Sequence, residues 1–186
     1  MTSAYHRKKQ PEQVRQQLLE VAARLSLEQG IAGMTLDAVS QAAGVSKGGL
    51  LHHFPSKQAL LDGLFDELVA RFDRAIEAAM ADDDVEKGRF TRAYLTVCFA
   101  LDGEAERQGW QVLTIALLAE PNLKARWRDW VARRATEFAA TDSSPNCLLA
   151  RFAADGIWLA DLLQSHEIDA STRANLFRNL KALSLQ

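Results

Sequence analysis

Cysteine is nearly absent from the chain: Cys98 and Cys147 are the only two in 186 residues. They have no CxxC spacing and no local basic neighbour to lower a thiol pKa. A redox switch is therefore the weaker reading, and two buried thiols in a reducing cytoplasm are expected. Long apolar runs are also missing. No stretch nears the roughly 18 residues that a membrane helix needs. The basic start MTSAYHRKKQPEQ is not followed by the apolar core of a signal peptide. The expectation is a cytoplasmic protein with no membrane partner. The chain further lacks a Gly-rich phosphate loop, a Gly-x-Ser-x-Gly turn and a His-Glu-x-x-His pair. His166 and Asp169 have no nucleophile beside them. Asp155 and Asp161 are six residues apart, off a common helical face. No catalytic residue, metal ligand set or cofactor is expected, and enzymatic function is set aside.

What is present is ordinary in amount and uneven in placement. Hydrophobic residues make up 48% and charged residues 25%, which argues against disorder. The net charge of -2 divides unequally. Residues 1–57 carry 7 Lys/Arg against 4 Asp/Glu, and residues 58–186 carry 15 against 20. A basic front and an acidic back suit a protein that presents one end to a polyanion.

Periodicity is helical throughout, and the fold class read from it is all-α. Val14, Leu18, Val21, Ala22 and Leu25 share one face, behind Pro11 in a first turn and ahead of Gly30 and Gly33 as stops. Thr35 caps a second helix and Gly44 stops it. Ser46 caps a short third helix, Pro55 ends that one, and Ser56 caps a long fourth. In the fourth, Leu60, Leu64, Leu68, Phe72 and Ile76 recur every four residues. The run Asp82, Asp83, Asp84 reads as a solvated turn that closes this helix and offers a cap to the next. Further helices are expected over about 85–101, 104–119, 122–140, 145–165 and 171–184, giving about nine in all.

The stretch TLDAVSQAAGVSKGGLLHHFPSK, Thr35 to Lys57, carries the functional signal. Leu36, Val39 and Ala43 give its first helix an apolar face. Small Ala42 and Ala43 permit a close crossing, Gly44 takes the positive φ of a sharp turn, and Val45 plugs it. This is a helix-turn-helix pattern, whose second helix enters the major groove. Gly48 and Gly49 let that helix come close to phosphate, and Lys47 reaches a base edge or a phosphate. Thr35, Ser46, His52, His53 and Lys57 suit phosphate contacts on both sides. Adjacent His52 and His53 point about 100° apart, so they are poor ligands for one metal. His6, Arg7, Lys8 and Lys9 read either as a basic arm against DNA or as a solvated tail.

The segment GMTLDAVSQAAGVSKGGLLHHFPSKQALL resembles the N-terminal domain of the TetR family of bacterial regulators, over about residues 12–65. The resemblance implies that Thr35 caps its helix against a phosphate, that Lys47 and Gly48 face the groove, and that His53 and Lys57 hold phosphates. Where the family usually has Tyr in its Leu-Tyr-x-His/Tyr-Phe exit, this chain has Leu51. A phenolic contact is replaced there by a methyl contact or by packing. The implied architecture is a three-helix DNA-binding domain over 1–57 and a helical effector-binding and dimerisation domain over 58–186. The implied partners are a palindromic double-stranded operator, a small-molecule effector of unknown identity and a second copy of the chain.

For the second domain the residues leave alternatives open. Phe99, Trp110, Trp127, Arg151 and Asp155 are the expected lining of an effector pocket. Trp130, Trp158 and Arg92 are further candidates; the competing reading makes the tryptophans core or interface residues and puts the charged residues in surface salt bridges. Leu149, Phe152, Ala153, Gly156, Ile157, Ala160 and Leu163, with Phe177 and Leu180, are the expected dimer interface, against ordinary intrachain packing. A dimer would set two reading helices about 34 Å apart. The competing function is a helical adaptor that binds protein and never DNA. It predicts no salt-dependent DNA affinity.

Overall fold

Local chemistry sets the helix ends. A computed structural model describes residues 10–100 and 104–186, and these form ten helices with no strand among the described residues. The basic arm at His6 to Lys9 lies outside the described residues. Helix α1 spans Gln10–Gly33, with Leu18, Leu19, Ala22 and Leu25 buried on one side. Its regular path breaks at Gly30, at φ 72 and ψ 167. Only a single turn continues to Gly33.

Helices α2 (Leu36–Ala42) and α3 (Lys47–His53) are short and capped by their own neighbours. Thr35 Oγ1 accepts from Ala38 N at 3.1 Å, and Ser46 Oγ accepts from Gly49 N at 3.1 Å. Between them Gly44, at φ +64, donates to the Gln41 carbonyl, while Val45 N donates to Ser40 O. This paired closure satisfies the last carbonyls of α2 and needs the left-handed residue at its centre. Gln17 of α1 donates to Ala43 O at 3.0 Å and ties the turn down. Ala42 is exposed and Val45 half-buried, so Ala43 is the residue the close packing uses.

Helix α4 covers Lys57–Ala81, begun by Ser56 Oγ accepting from Ala59 N. There follow α5 (Arg89–Phe99), α6 (Glu104–Ala119), α7 (Pro121–Glu137), α8 (Ala139–Asp142), α9 (Pro145–Leu163) and α10 (Ala170–Leu183). The helix expected over 122–140 divides into α7 and the four-residue α8, so ten helices replace the expected nine. The acidic run does not cap α5. That place falls to Gly88, which has no side chain to offer and where an added Cβ would collide with the Ser184 carbonyl. The missing cap comes from α8: buried Asp142 accepts from Thr91 N at 2.7 Å.

The chain divides into two compact units. The first takes in the described residues up to Leu68 together with Gln108–Lys124. Its core holds Leu18, Leu19, Met34, Val39, Leu50, Leu60, Leu61, Val112, Leu113 and Leu123. The second takes in the described residues from Val69 to Arg107 and Ala125–Gln186. There α5 packs on α8, α9 and α10, and buried Phe72, Ile76, Phe90, Leu95, Trp130 and Ala150 fill the interior.

Candidate nucleic-acid interface and the second unit

The second helix of the motif, α3, has one buried anchor, Leu50, and an otherwise solvent-facing front. Ser46, Lys47, Gly48, Leu51 and His52 are exposed, whereas Gly49 and His53 are half-buried. Leu51 is thus presented to solvent rather than packed. The His52 and His53 rings meet edge to face at 5.5 Å. The two glycines differ in kind. A Cβ on Gly48 meets nothing within 4 Å, while one on Gly49 meets Val45 Cγ1 at 3.0 Å and Ser46 Oγ at 3.2 Å. Gly49 therefore serves the turn, and Gly48 leaves open space on the outer face.

Two lysines flank this face. Lys47 Nζ lies 2.8 Å from Asp37 Oδ1 at the start of α2. Lys57 donates to the carbonyls of Ile31 and Ala32, at the end of α1. Its stem and part of its donor capacity are committed within the fold, which sequence reasoning did not foresee. Exposed Thr35 stands beside Asp37.

In the second unit, the expected pocket residues each have their own partners. Phe99 packs on Phe177 at 5.2 Å, and Trp127 stacks on Trp130 at 4.8 Å. Arg151 donates to Thr91 Oγ1 and to Asp142 O, and lies over the Phe90 ring. It belongs to the packing of α5, α8 and α9. Asp155 accepts from the buried Tyr94 hydroxyl. Burial at this contact pushes the Asp155 carboxyl above its usual range, although the residue keeps an exposed edge. Burial likewise pushes Tyr94 and the Cys98 thiol well up, so Cys98 is held as a thiol. Sequence reasoning missed Tyr94, since nothing local links it to a residue 61 positions away. Trp110 belongs to the first unit. Arg92, the further candidate, is instead bound to Asp83 at 2.6 Å, which makes the acidic run part of an ion pair rather than a fully solvated turn.

Helix α9 carries an apolar stripe that the single chain leaves open. Leu149, Phe152 and Leu163 are 56%, 62% and 65% exposed, with Leu148 and Leu159 also exposed. Gly156 lies on the same side with nothing near its Cβ position. Ala153, Ile157 and Ala160 are half-buried on the flank, as are Phe177 and Leu180 of α10. The stripe therefore runs from Leu148 to Leu163, and it includes Leu148 and Leu159, which the sequence reading left out.

A capped helix-turn-helix followed by a helical bundle defines a class: helical proteins with an N-terminal helix-turn-helix. The comparisons agree. Residues 18–64 match the family described as bacterial regulatory proteins, tetR family, and residues 88–185 match the tetracyclin repressor-like C-terminal domain. The chain belongs to the TetR family. The regulator TtgR of Pseudomonas putida is 32% identical over 79 residues, 42% of this chain and 38% of its own length. The repressor AcnR of Corynebacterium efficiens is 30% identical over 123 residues, 64% of this chain and 58% of its own length. The chain thus aligns with well under two thirds of each relative. In structure it is similar to the multidrug binding protein EbrR complexed with malachite green, with TM-score 0.68, 24% identity and 91% and 96% of the two chains covered. No helix among the described residues is long and apolar enough to cross a membrane.

Proposed function

We propose that the protein is a cytoplasmic, one-component transcriptional repressor. It binds a palindromic double-stranded operator as a homodimer and leaves it when a small molecule binds. DNA binding resides in residues 1–57, and effector binding and dimerisation in residues 58–186. One observation carries the reading. The helix α3 is capped, anchored through Leu50, and exposes Ser46, Lys47, Gly48, Leu51 and His52 on a face free of bulk at Gly48. Such a rod fits a major groove, where Lys47 meets a base edge or phosphate, Thr35 and His53 meet flanking phosphates, and Gly49 keeps the turn tight.

The stripe on α9 supplies the dimer contact. Exposed Leu and Phe side chains in a row gain most when a second copy covers them, and a two-fold dimer matches a two-fold operator. An effector held in the second unit, near Phe99, Trp127 and Asp155, acts only if it binds the form of the dimer that does not fit DNA more tightly than the form that does.

Selection from a random duplex pool followed by fluorescence anisotropy tests the proposal. The expected result is an inverted-repeat site whose affinity falls steeply with salt. Lys47→Ala should weaken binding and reduce the salt slope by about one unit, with the helical fold intact. A folded protein that enriches no sequence and shows no salt-dependent affinity for duplex would refute it.

A further inference from the structure

Between Thr35 and Phe54 the sequence holds one acidic residue and one Lys or Arg, namely Asp37 and Lys47. The fold brings these two together, with Nζ 2.8 Å from Oδ1. Their side chains are 72% and 62% exposed, so water screens the pair and it adds little to folding. Asp37 also stands in the first turn of α2, where a carboxylate is electrostatically at ease without any partner. Both α2 and α3 have side-chain caps of their own, at Thr35 and Ser46. Its effect falls on the outer face, where it neutralises the only permanent cation of the reading helix.

We propose that Asp37 tunes the duplex affinity of α3 through Lys47, by holding its ammonium until a DNA acceptor displaces the carboxylate. This rests on the DNA-binding reading above. A phosphate of arbitrary duplex offers Lys47 a single negative charge, and so does Asp37. Exchange of one for the other gains little, and it leaves Asp37 facing a polyanion. A guanine edge offers O6 and N7 as acceptors, but reaching it breaks the same pair. Asp37 therefore lowers binding to arbitrary and to cognate duplex alike, and it limits the hold of the protein on unrelated DNA.

The test uses the full-length chain, a labelled 30-base-pair duplex of random sequence, and the best duplex selected by the parent protein. Asp37→Asn keeps the shape and removes the charge; Asp37→Ser, also suited to a first helical turn, runs in parallel. The expected result is affinity for random duplex raised by about threefold or more, with a salt slope steeper by up to about one unit. Affinity for the selected duplex rises by a similar factor. In a Lys47→Ala background the same substitutions at Asp37 lose most of this gain, which a merely structural role for Asp37 would not produce. Unchanged random-sequence affinity and slope in both folded variants overturns the inference while leaving the DNA-binding reading standing. So does a gain that persists undiminished without Lys47. A parent protein with no salt-dependent duplex affinity overturns both.

Discussion

The Arg92 guanidinium donates to both carboxylate oxygens of Asp83, at 2.6 and 3.1 Å, and to the backbone carbonyls of Val85 and Lys87. Four contacts from one buried side chain close the turn between α4 and α5. The Arg92 hydrogen bond holds the Asp83 carboxyl below its ordinary range. A carboxylate so lowered stabilises the fold fully above its unfolded pKa of about 3.9, and that stability is lost as pH falls through the lower folded value. Asp83→Asn should cost about 1–3 kcal/mol at pH 7. The gap between parent and variant should narrow as pH falls below about 3.9. Urea unfolding at the two pH values measures it, and equal stability at pH 7 would contradict the assignment.

Gly48 separates folding from DNA binding. A methyl there meets nothing within 4 Å in the isolated chain. Replacing a helical glycine by alanine gains about 0.5–1 kcal/mol. Gly48→Ala should thus melt no lower than the parent while binding the selected duplex about tenfold or more weakly, because the methyl holds the backbone off the groove. Thermal melts and anisotropy on the same preparation decide the matter. Full affinity in the variant would place Gly48 away from DNA.

Phe152 is the test of the dimer. Its exposed side chain is the one aromatic member of the α9 stripe, and covering such a side chain is worth about 1.5–3 kcal/mol. Two-fold symmetry counts it twice, so Phe152→Ala should raise the dimer dissociation constant by about 100-fold or more, and Phe152→Glu should give monomers. Sedimentation velocity reads the outcome. A Phe152→Glu protein that stays dimeric would move the interface elsewhere.

The legible parts of the fold were those written within a few residues. Thr35 caps Ala38, Ser46 caps Gly49, and Gly44 turns between them, so each signal and its structural result lie within one turn of helix. The same holds for the apolar rhythm of α4 and the start of α9 at Pro145. The outer face of α3 follows from the same local pattern. What sequence could not give was long-range pairing. Arg151 meets Thr91 across 60 positions, and Lys57 reaches Ile31 across 26. The division of α7 from α8 was hidden because its helical periodicity runs on through Phe138.

Asp142 ends up with a duty that belongs in most helices to the preceding residue. Because the first turn of α5 borrows its acceptor from a segment 51 positions onward, that turn stays incomplete until most of the remaining chain has been made. A nascent or truncated product ending before Ala139 would carry a frayed α5, and its aromatic face would lie open to chaperones and proteases. Completion of the first turn of α5 is thereby coupled to the arrival of the segment that carries Asp142.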